Sequence, residues 1–407
     1  MKFLHAADIH LDSPLSGLLG RADPLTEDLR ACTRRAFAAM VDLAIAEDVA
    51  FVIIAGDLYD GEWKDFSTGL FFAAQMKRLG RPCFLLRGNH DAQSVITKRL
   101  PLPDNVREFS SRRCETFALG ELGVALHGHS FPDRAVPEDI SERYPDPVRG
   151  MLNIGVLHTS GDDPGEHATY APCSPDRLRL KGYGYWALGH IHMRRVLHER
   201  PWIVFPGNLQ GRHVRETGAK GCSLVTVENG EVVTVEHRSV DTLRWALLEV
   251  DATGADETVL AERIAAGVQE AFAAAEDRPL LARLVLSGEC PLHARLPDHV
   301  EELAAHCANA AIGAGGQLWL EKVQLRTRPL RRQAAEALDP LRAAFLAALE
   351  DPALSDGLQA DLAALRAKVP MPVRPALDLP ADVLALAGLA EEAWEAVEAA
   401  IAAEGAA

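Results

Sequence analysis

The chain predicts an α/β fold: two β-sheets packed face to face with helices outside, followed by a small α+β domain and a set of C-terminal helices. Three observations carry this reading. Short apolar runs rich in Val, Ile and Leu recur through the first 240 residues, and several end in a polar residue, as buried strands of an α/β sheet do. Long helical stretches separate the first three runs, which is the rhythm of βαβ units. Beyond Leu243 the order becomes strand, helix, strand, helix, strand, and beyond Pro329 the chain turns Ala-, Leu- and Glu-rich.

Taken in order, the pattern predicts strands over 2–7, 50–55 and 82–86, with helices over 26–47 and 67–79 between them. Further strands are expected at 115–119, 123–128, 152–157, 184–188, 194–199, 202–205, 222–228 and 231–238. The last two frame Asn229-Gly230, a dipeptide that tolerates the positive φ of a two-residue hairpin. No helical pattern separates these later strands, so a second, more antiparallel sheet is expected. The α+β unit reads as strands at 245–250, 282–287 and 318–326 with helices at 257–274 and 298–311. Helical candidates near 332–350, 355–367 and 382–403 complete the chain, giving domains 1–240, 241–329 and 330–407.

At 407 residues and 48% apolar content, the chain can bury one sizeable core and still furnish a second domain. Its seven Cys are odd in number, scattered and without a Cys-x-x-Cys pair, which argues against a disulfide framework and a zinc knuckle. Reduced thiols in a cytoplasmic protein fit best, and no apolar run approaches the length of a membrane span. The net charge of −16 is unevenly divided: residues 1–240 hold 28 Lys+Arg against 31 Asp+Glu, and residues 241–407 hold 14 against 27. Twelve of the 15 His also precede residue 241. Chemistry is expected in front, with packing or partner contacts behind.

Five short pieces concentrate that chemistry: Asp8-Ile9-His10, Gly56-Asp57-Leu58-Tyr59-Asp60, Gly88-Asn89-His90-Asp91, His158 and Gly189-His190-Ile191-His192. Each sits at the end of an apolar run, and ligands in α/β sheets gather outside the carboxyl ends of strands. Residues i and i+2 of an extended segment face the same way, so Asp8 and His10 can converge on one ion, and the spacing of His190 and His192 repeats that geometry. Gly56 and Gly88 immediately precede candidate ligands and read as turn glycines. Two divalent cations in one centre need two mixed N/O ligand sets and a bridging carboxylate, and the five pieces supply them. Singly, each piece reads as an ordinary loop; their joint occurrence in this order carries the inference.

These residues resemble the calcineurin-like metallophosphoesterases, and within them the nuclease subunit of bacterial SbcCD-type DNA repair complexes and the YhaO-like exonucleases. The opening Met1-Lys2-Phe3-Leu4-His5-Ala6-Ala7-Asp8-Ile9-His10-Leu11-Asp12 and the later Phe205-Pro206-Gly207-Asn208-Leu209-Gln210 are similar to that branch. The motifs cover residues 1 to 240; beyond them the resemblance rests on layout alone. It implies a two-sheet metallophosphoesterase sandwich with a capping domain, and a DNA exonuclease using two divalent ions, Mn²⁺ by the mixed carboxylate, amide and imidazole set, although Fe²⁺ or Zn²⁺ suit the same donors. One ion would take Asp8, His10, Asp57 and His192, and the other Asp57, Asn89, His158 and His190. His90 would face the phosphate and protonate or stabilise the leaving oxygen, with Asp60 orienting and charging it. Some archaeal relatives carry His at position 60, which bears on the proton assignment.

The implied partners are DNA, an SMC-like coiled-coil ATPase docked on the C-terminal helices, and a second copy in a homodimer. Apolar stripes such as Leu341, Phe345 and Leu349 are candidates for the ATPase contact. Arg87 and Arg212 are candidates for binding substrate phosphate, each weighed against an ordinary ion-pair or surface role. His127 and His129 read more readily as packed and solvated turn residues than as cleft residues. Rival readings are a phosphatase and a small-diester phosphodiesterase. Many phosphatases of this kind have Asp-Arg-Gly where this chain has Asp60-Gly61-Glu62, and a small diesterase would need little beyond the first domain.

Overall fold

In a computed structural model, the structure describes residues 1–13, 31–60, 65–93, 101–161, 170–330, 335–349, 352–369 and 393–397. The first sheet has β1 (Lys2–Ala6), β2 (Phe51–Ala55), β3 (Cys83–Leu86) and β4 (Val106–Glu108) in parallel. Helices α1 (Cys32–Ala46) and α2 (Phe66–Leu79) lie between the first three. On the free side of β1, the hairpin of β11 (Gly221–Glu228) and β12 (Glu231–Ser239) pairs antiparallel, so the order is β12-β11-β1-β2-β3-β4. The hairpin turn at Asn229 and Gly230 takes φ of 51° and 80°, as the sequence predicts. β4, only three residues long, is the strand that apolar patterning does not reveal.

Alternation along these strands explains their unbroken apolar character. Leu4, Val52 and Ile54 face α1 and α2, where Ala36, Phe37, Met40, Val41 and Phe72 cover them. Phe3, Phe51, Ile53 and Phe84 face the second sheet and meet Leu126, Ile154, Val156, Tyr185 and Val204. Phe3 and Phe51 stack at 5.0 Å, and Phe84 meets Phe51 edge-on at 5.8 Å. α2 begins at Asp65, whose side chain accepts from Ser67 N, and ends at Gly80 with φ 62°.

The second sheet comprises β5 (Glu115–Leu119), β6 (Val124–Gly128), β7 (Leu152–His158), β8 (Tyr185–Gly189), β9 (Arg195–Glu199) and β10 (Trp202–Phe205), ordered β5-β6-β7-β8-β10-β9. Here the expectation of a more antiparallel sheet is corrected. β6, β7, β8 and β10 run parallel, and only the edge pairs β5-β6 and β10-β9 are antiparallel, the same mixture as in the first sheet. The crossover from β7 to β8 contains α3 (Pro175–Leu180), whose six residues are too few to display helical periodicity. The spans 129–151 and 159–184 are nevertheless far longer than a hairpin needs, and that length was the available signal for parallel crossovers.

The chain divides into two compact units, one formed by Met1–Leu248, Gly267–Arg283 and Cys307–Lys322, the other by Glu249–Ala266, Leu284–His306 and Val323–Ala407. A third sheet orders β13 (Arg244–Asp251), β14 (Leu280–Glu289) and β15 (Leu318–Arg328) consecutively, with α4 (Glu257–Ala275) and α5 (Val300–Gly313) as the intervening helices. α6 (Ala335–Leu349) and α7 (Pro352–Lys368) follow. Of the helix expected over 382–403, only 393–397 is among the described residues, and these are helical.

Within the second sheet, Gly155 of β7 lies under the indole of Trp186 on β8, and a Cβ there would stand 2.3 Å from Trp186 Cε3. Trp186 is fully buried and its Nε1 donates to Leu178 O at 3.0 Å, so the ring has little room to retreat. Gly155→Ala is expected to destabilise the protein by about 1–3 kcal/mol, the usual cost of overpacking, read as a lower urea midpoint with the m-value unchanged.

Candidate metal centre

Five strand ends, three from the first sheet and two from the second, build the site. Asp8 and His10 follow β1, Asp57 follows β2, Asn89 and His90 follow β3, His158 closes β7, and His190 and His192 follow β8. Asp8 N donates to Gly56 O and His10 N to Asp57 O, both at 3.0 Å, so the two loops of the first sheet are zipped together beyond the strands. Asp8, His10, Asp57 and His190 have φ of 51°, 44°, 53° and 103°. The convergence of Asp8 with His10 therefore comes from left-handed turns rather than from the pleat of an extended segment. Such conformations cost on the order of 1–3 kcal/mol each outside glycine, and they persist where surrounding structure enforces them.

The side chains gather into adjoining groups. Ligand atoms of Asp8, His10 and His192 lie within 4.8 Å of one another, as do those of Asp57, His158 and His190. Asp57 Oδ2 stands 3.4 Å from His158 Nε2 and 3.8 Å from His10 Nε2, so this one carboxylate borders both groups. Asn89 Oδ1 is 3.0 Å from His158 Nε2. His190 N donates to both oxygens of Asp8 at 3.0 Å. All seven candidate ligands thus reach one locality.

The two glycines act differently from each other. Gly56 has φ 101°, and a Cβ there would be 2.3 Å from His158 Nδ1. Gly88 is absent from the positive-φ positions, which corrects the turn-glycine expectation; it is needed because a Cβ would stand 2.3 Å from Asp57 Oδ1. Asp91, to which the sequence assigned no role, has a buried carboxylate that accepts N–H bonds from Leu58, Tyr59 and Gly88. It ties the β2 and β3 loops together from behind, and burial followed by the nearby Asp57 charge pushes it up to about 7.

His90 forms a third group with Asp60 and His10. Its Nδ1 lies 2.8 Å from Asp60 Oδ1, and its backbone N donates to Asp57 Oδ1 at 3.0 Å. The other Asp60 oxygen accepts from Ser13 Oγ at 2.7 Å and pairs with Arg212 at 3.5 Å. Burial opposes charge on His90, but the Asp60 contact and the Asp57 carboxylate outweigh it and raise its pKa. Arg212 also donates to Ser13 Oγ at 3.2 Å, whereas the Arg87 guanidinium pairs with Glu108 at 2.5 Å. His127 is buried between Thr116 and Asn153 and serves the packing of the second sheet.

The residues fit a dinuclear metal centre. Both ring nitrogens of His10 are buried without a hydrogen-bond partner, a costly state that a cation would relieve. His158 Nδ1 faces Ala55 O at 2.9 Å; a carbonyl can only accept, so Nδ1 is the donor and Nε2 is the atom offered beside Asn89 and Asp57. Two carboxylates, one amide oxygen and four imidazoles suit divalent cations of borderline hardness.

Comparison with known proteins agrees with this geometry. Residues 1–194 match the calcineurin-like phosphoesterase family, and residues 245–328 match the middle domain of metallophosphoesterase YhaO. The uncharacterized metallophosphoesterase YhaO of Bacillus subtilis (strain 168) is 35% identical over 300 residues, spanning 72% of each chain. The chain belongs to the calcineurin-like metallophosphoesterases. This metallophosphoesterase is also similar to two proteins named DNA double-strand break repair protein Mre11. That of Sulfurisphaera tokodaii is 23% identical over 63% of this chain and 67% of its own, and that of Aeropyrum pernix 28% identical over 61% and 63%. The sandwich expected from the sequence is the fold observed, and the family is that of a metal-dependent phosphoesterase.

A proton inventory tests the donor set. Burial alone would lower the His158 pKa, but the carboxylates of Asp57 and Asp8 raise it to about 9 in the metal-free protein. Below that pH the imidazolium must lose its proton before Nε2 can bind a cation, so ion affinity rises with pH and levels off above about 9. Calorimetric titration of metal-stripped protein near neutral pH, in buffers of different ionisation enthalpy, is expected to register release of at least roughly one proton per chain.

Proposed function

We propose that this metallophosphoesterase is a metal-dependent DNA exonuclease that hydrolyses phosphodiester bonds at two divalent ions, Mn²⁺ by preference. Asp8, His10, Asp57 and His192 would hold one ion, and Asp57, Asn89, His158 and His190 the other, with Asp57 shared. The observation that carries the reading is Asp57, a buried carboxylate bordered by both imidazole groups, which is the position a bridging ligand requires. When bound, the ions would supply a polarised phosphate and a water of lowered pKa.

The chain's own residues do the rest. His90 gives Nδ1–H to Asp60, which leaves Nε2 to carry the proton for the departing oxygen; the Asp60 carboxylate keeps that imidazole charged. Arg212, anchored on Ser13 and Asp60, would meet a substrate phosphate, and Arg87, whose guanidinium pairs with Glu108, is a second candidate. DNA as substrate is supported by the names of the archaeal relatives and by the absence of Arg at position 61. We assign the protein to the cytoplasm; no helix among the described residues is long and apolar enough to cross a membrane.

The acidic tail is read as the docking site of an SMC-like coiled-coil ATPase, and a homodimer as the working form. Leu341 on α6 and Leu365 on α7 are about half exposed, the kind of apolar anchors such a contact would bury.

The test is digestion of end-labelled single- and double-stranded DNA, beside a phosphomonoester control, by metal-stripped protein with Mn²⁺ or Mg²⁺ restored. The wild type is expected to degrade DNA from its ends and to leave the monoester untouched; the reverse preference would return the protein to the phosphatases. Asp57→Ala is expected to abolish hydrolysis and to lower bound metal to one ion or none per chain. His90→Asn should keep both ions while turnover falls by roughly 10²–10⁴, the range for a general acid.

A further inference from the structure

One further carboxylate touches the centre without belonging to either ligand set. Glu216 is 7% exposed, and its Oε1 lies 2.6 Å from His192 Nδ1. Its Oε2 accepts from Asn208 Nδ2 at 2.8 Å and from Arg212 N at 2.7 Å, and His213 Nε2 approaches Oε1 at 3.2 Å. An ionised carboxylate has no proton to give, so His192 Nδ1 is the donor and Nε2 retains its lone pair.

The loop that brings Glu216 here is itself anchored. Gln210 Nε2 donates to Leu243 O at 2.9 Å, its Oε1 accepts from Thr242 N at 3.0 Å, and Trp245 Nε1 donates to Gly211 O at 3.0 Å. Lys220 Nζ reaches the carbonyl of His192 at 3.3 Å. Between these anchors, Arg212 extends to Ser13 and Asp60 behind His90.

We propose that Glu216 is a positioning residue of the centre. It locks His192 in the tautomer that offers Nε2 to a cation, and through the backbone of Arg212 it holds that guanidinium against the Asp60 partner of His90. A single side chain thus sets the orientation of one ligand and of the group that supports the general acid. The inference rests on the metal-centre reading above.

A bland alternative is that Glu216 only staples its loop, and two measurements separate the two. In metal-free wild-type protein with ¹⁵N-labelled histidine, the His192 ring, assigned by its loss in His192→Gln, is expected to show the Nδ1–H form. An Nε2–H form overturns the proposal, whatever the variants do. In E216Q one acceptor oxygen replaces two, so either His192 or the loop donors lose their partner. Titration of metal-stripped E216Q with Mn²⁺ is expected to show roughly 10–100-fold weaker uptake, the usual consequence of removing a partner behind a metal-binding imidazole. Wild-type affinity in folded E216Q, with only its thermal midpoint lowered, would reduce Glu216 to a staple. Should E216Q fail to fold, the wild-type tautomer decides alone. If the wild type itself takes up fewer than two ions, the metal-centre reading fails before the role of Glu216 arises.

Discussion

Asp57 is a carboxylate taken out of water and set between imidazoles, and the architecture can be followed outward from that constraint. Burial raises the cost of its charge, while His158 foremost, then His10 and His90, hold it ionised. Those histidines come from three different strand ends in two sheets, so the charge is tolerable only where both sheets present their carboxyl edges together. The backbone yields to this demand, with left-handed conformations at Asp8, His10, Asp57 and His190 held by hydrogen bonds between loops. Gly56, Gly88 and Gly189 leave out the side chains that would collide with His158, Asp57 or the Ala55 carbonyl.

Electrostatic support continues one layer out. Asp91 gathers the β2 and β3 loops, Asp60 faces His90, and Glu216 faces His192. Each is an acceptor that fixes a donor belonging to the site or to its loops, and each lies on an irregular segment or a short 3₁₀ turn rather than in a strand. Rigid strands place the loops approximately, and hydrogen-bonded carboxylates complete the placement.

Much of this could be read from the sequence, for identifiable reasons. Strand ends followed by Asp, Asn or His announce themselves because both faces of these strands are buried and the apolar runs stop abruptly, as at Ala55 before Gly56-Asp57. The His90–Asp60 contact was accessible through the resemblance. What was hidden has physical reasons as well. β4 is too short to show alternation, and α3 is too short to show periodicity. Glu216 lies on a loop where no periodicity marks it; the dense run Asn208 to Lys220, rich in Gly and polar residues, was the only hint, and the sequence reading stopped at Arg212 as a candidate for binding phosphate. The parallel core of the second sheet was missed because helical content, rather than the length of the connections, was used to infer strand direction.

The pairing of β1 with β11 has a consequence for the order of events during synthesis. β1 is made before the other strands of the sandwich and carries Asp8 and His10 just beyond its end, yet one of its two edges is satisfied only by a strand made more than two hundred residues later. His158, His190 and His192 arrive in between, on the opposite sheet. A nascent chain therefore exposes an open edge of β1 and an incomplete set of imidazoles through most of its elongation, and contacts of such long sequence separation form slowly. The full set of imidazoles and the closed first sheet are thereby available only late in elongation, because the strand that closes that sheet is also among the last parts of the sandwich to be made.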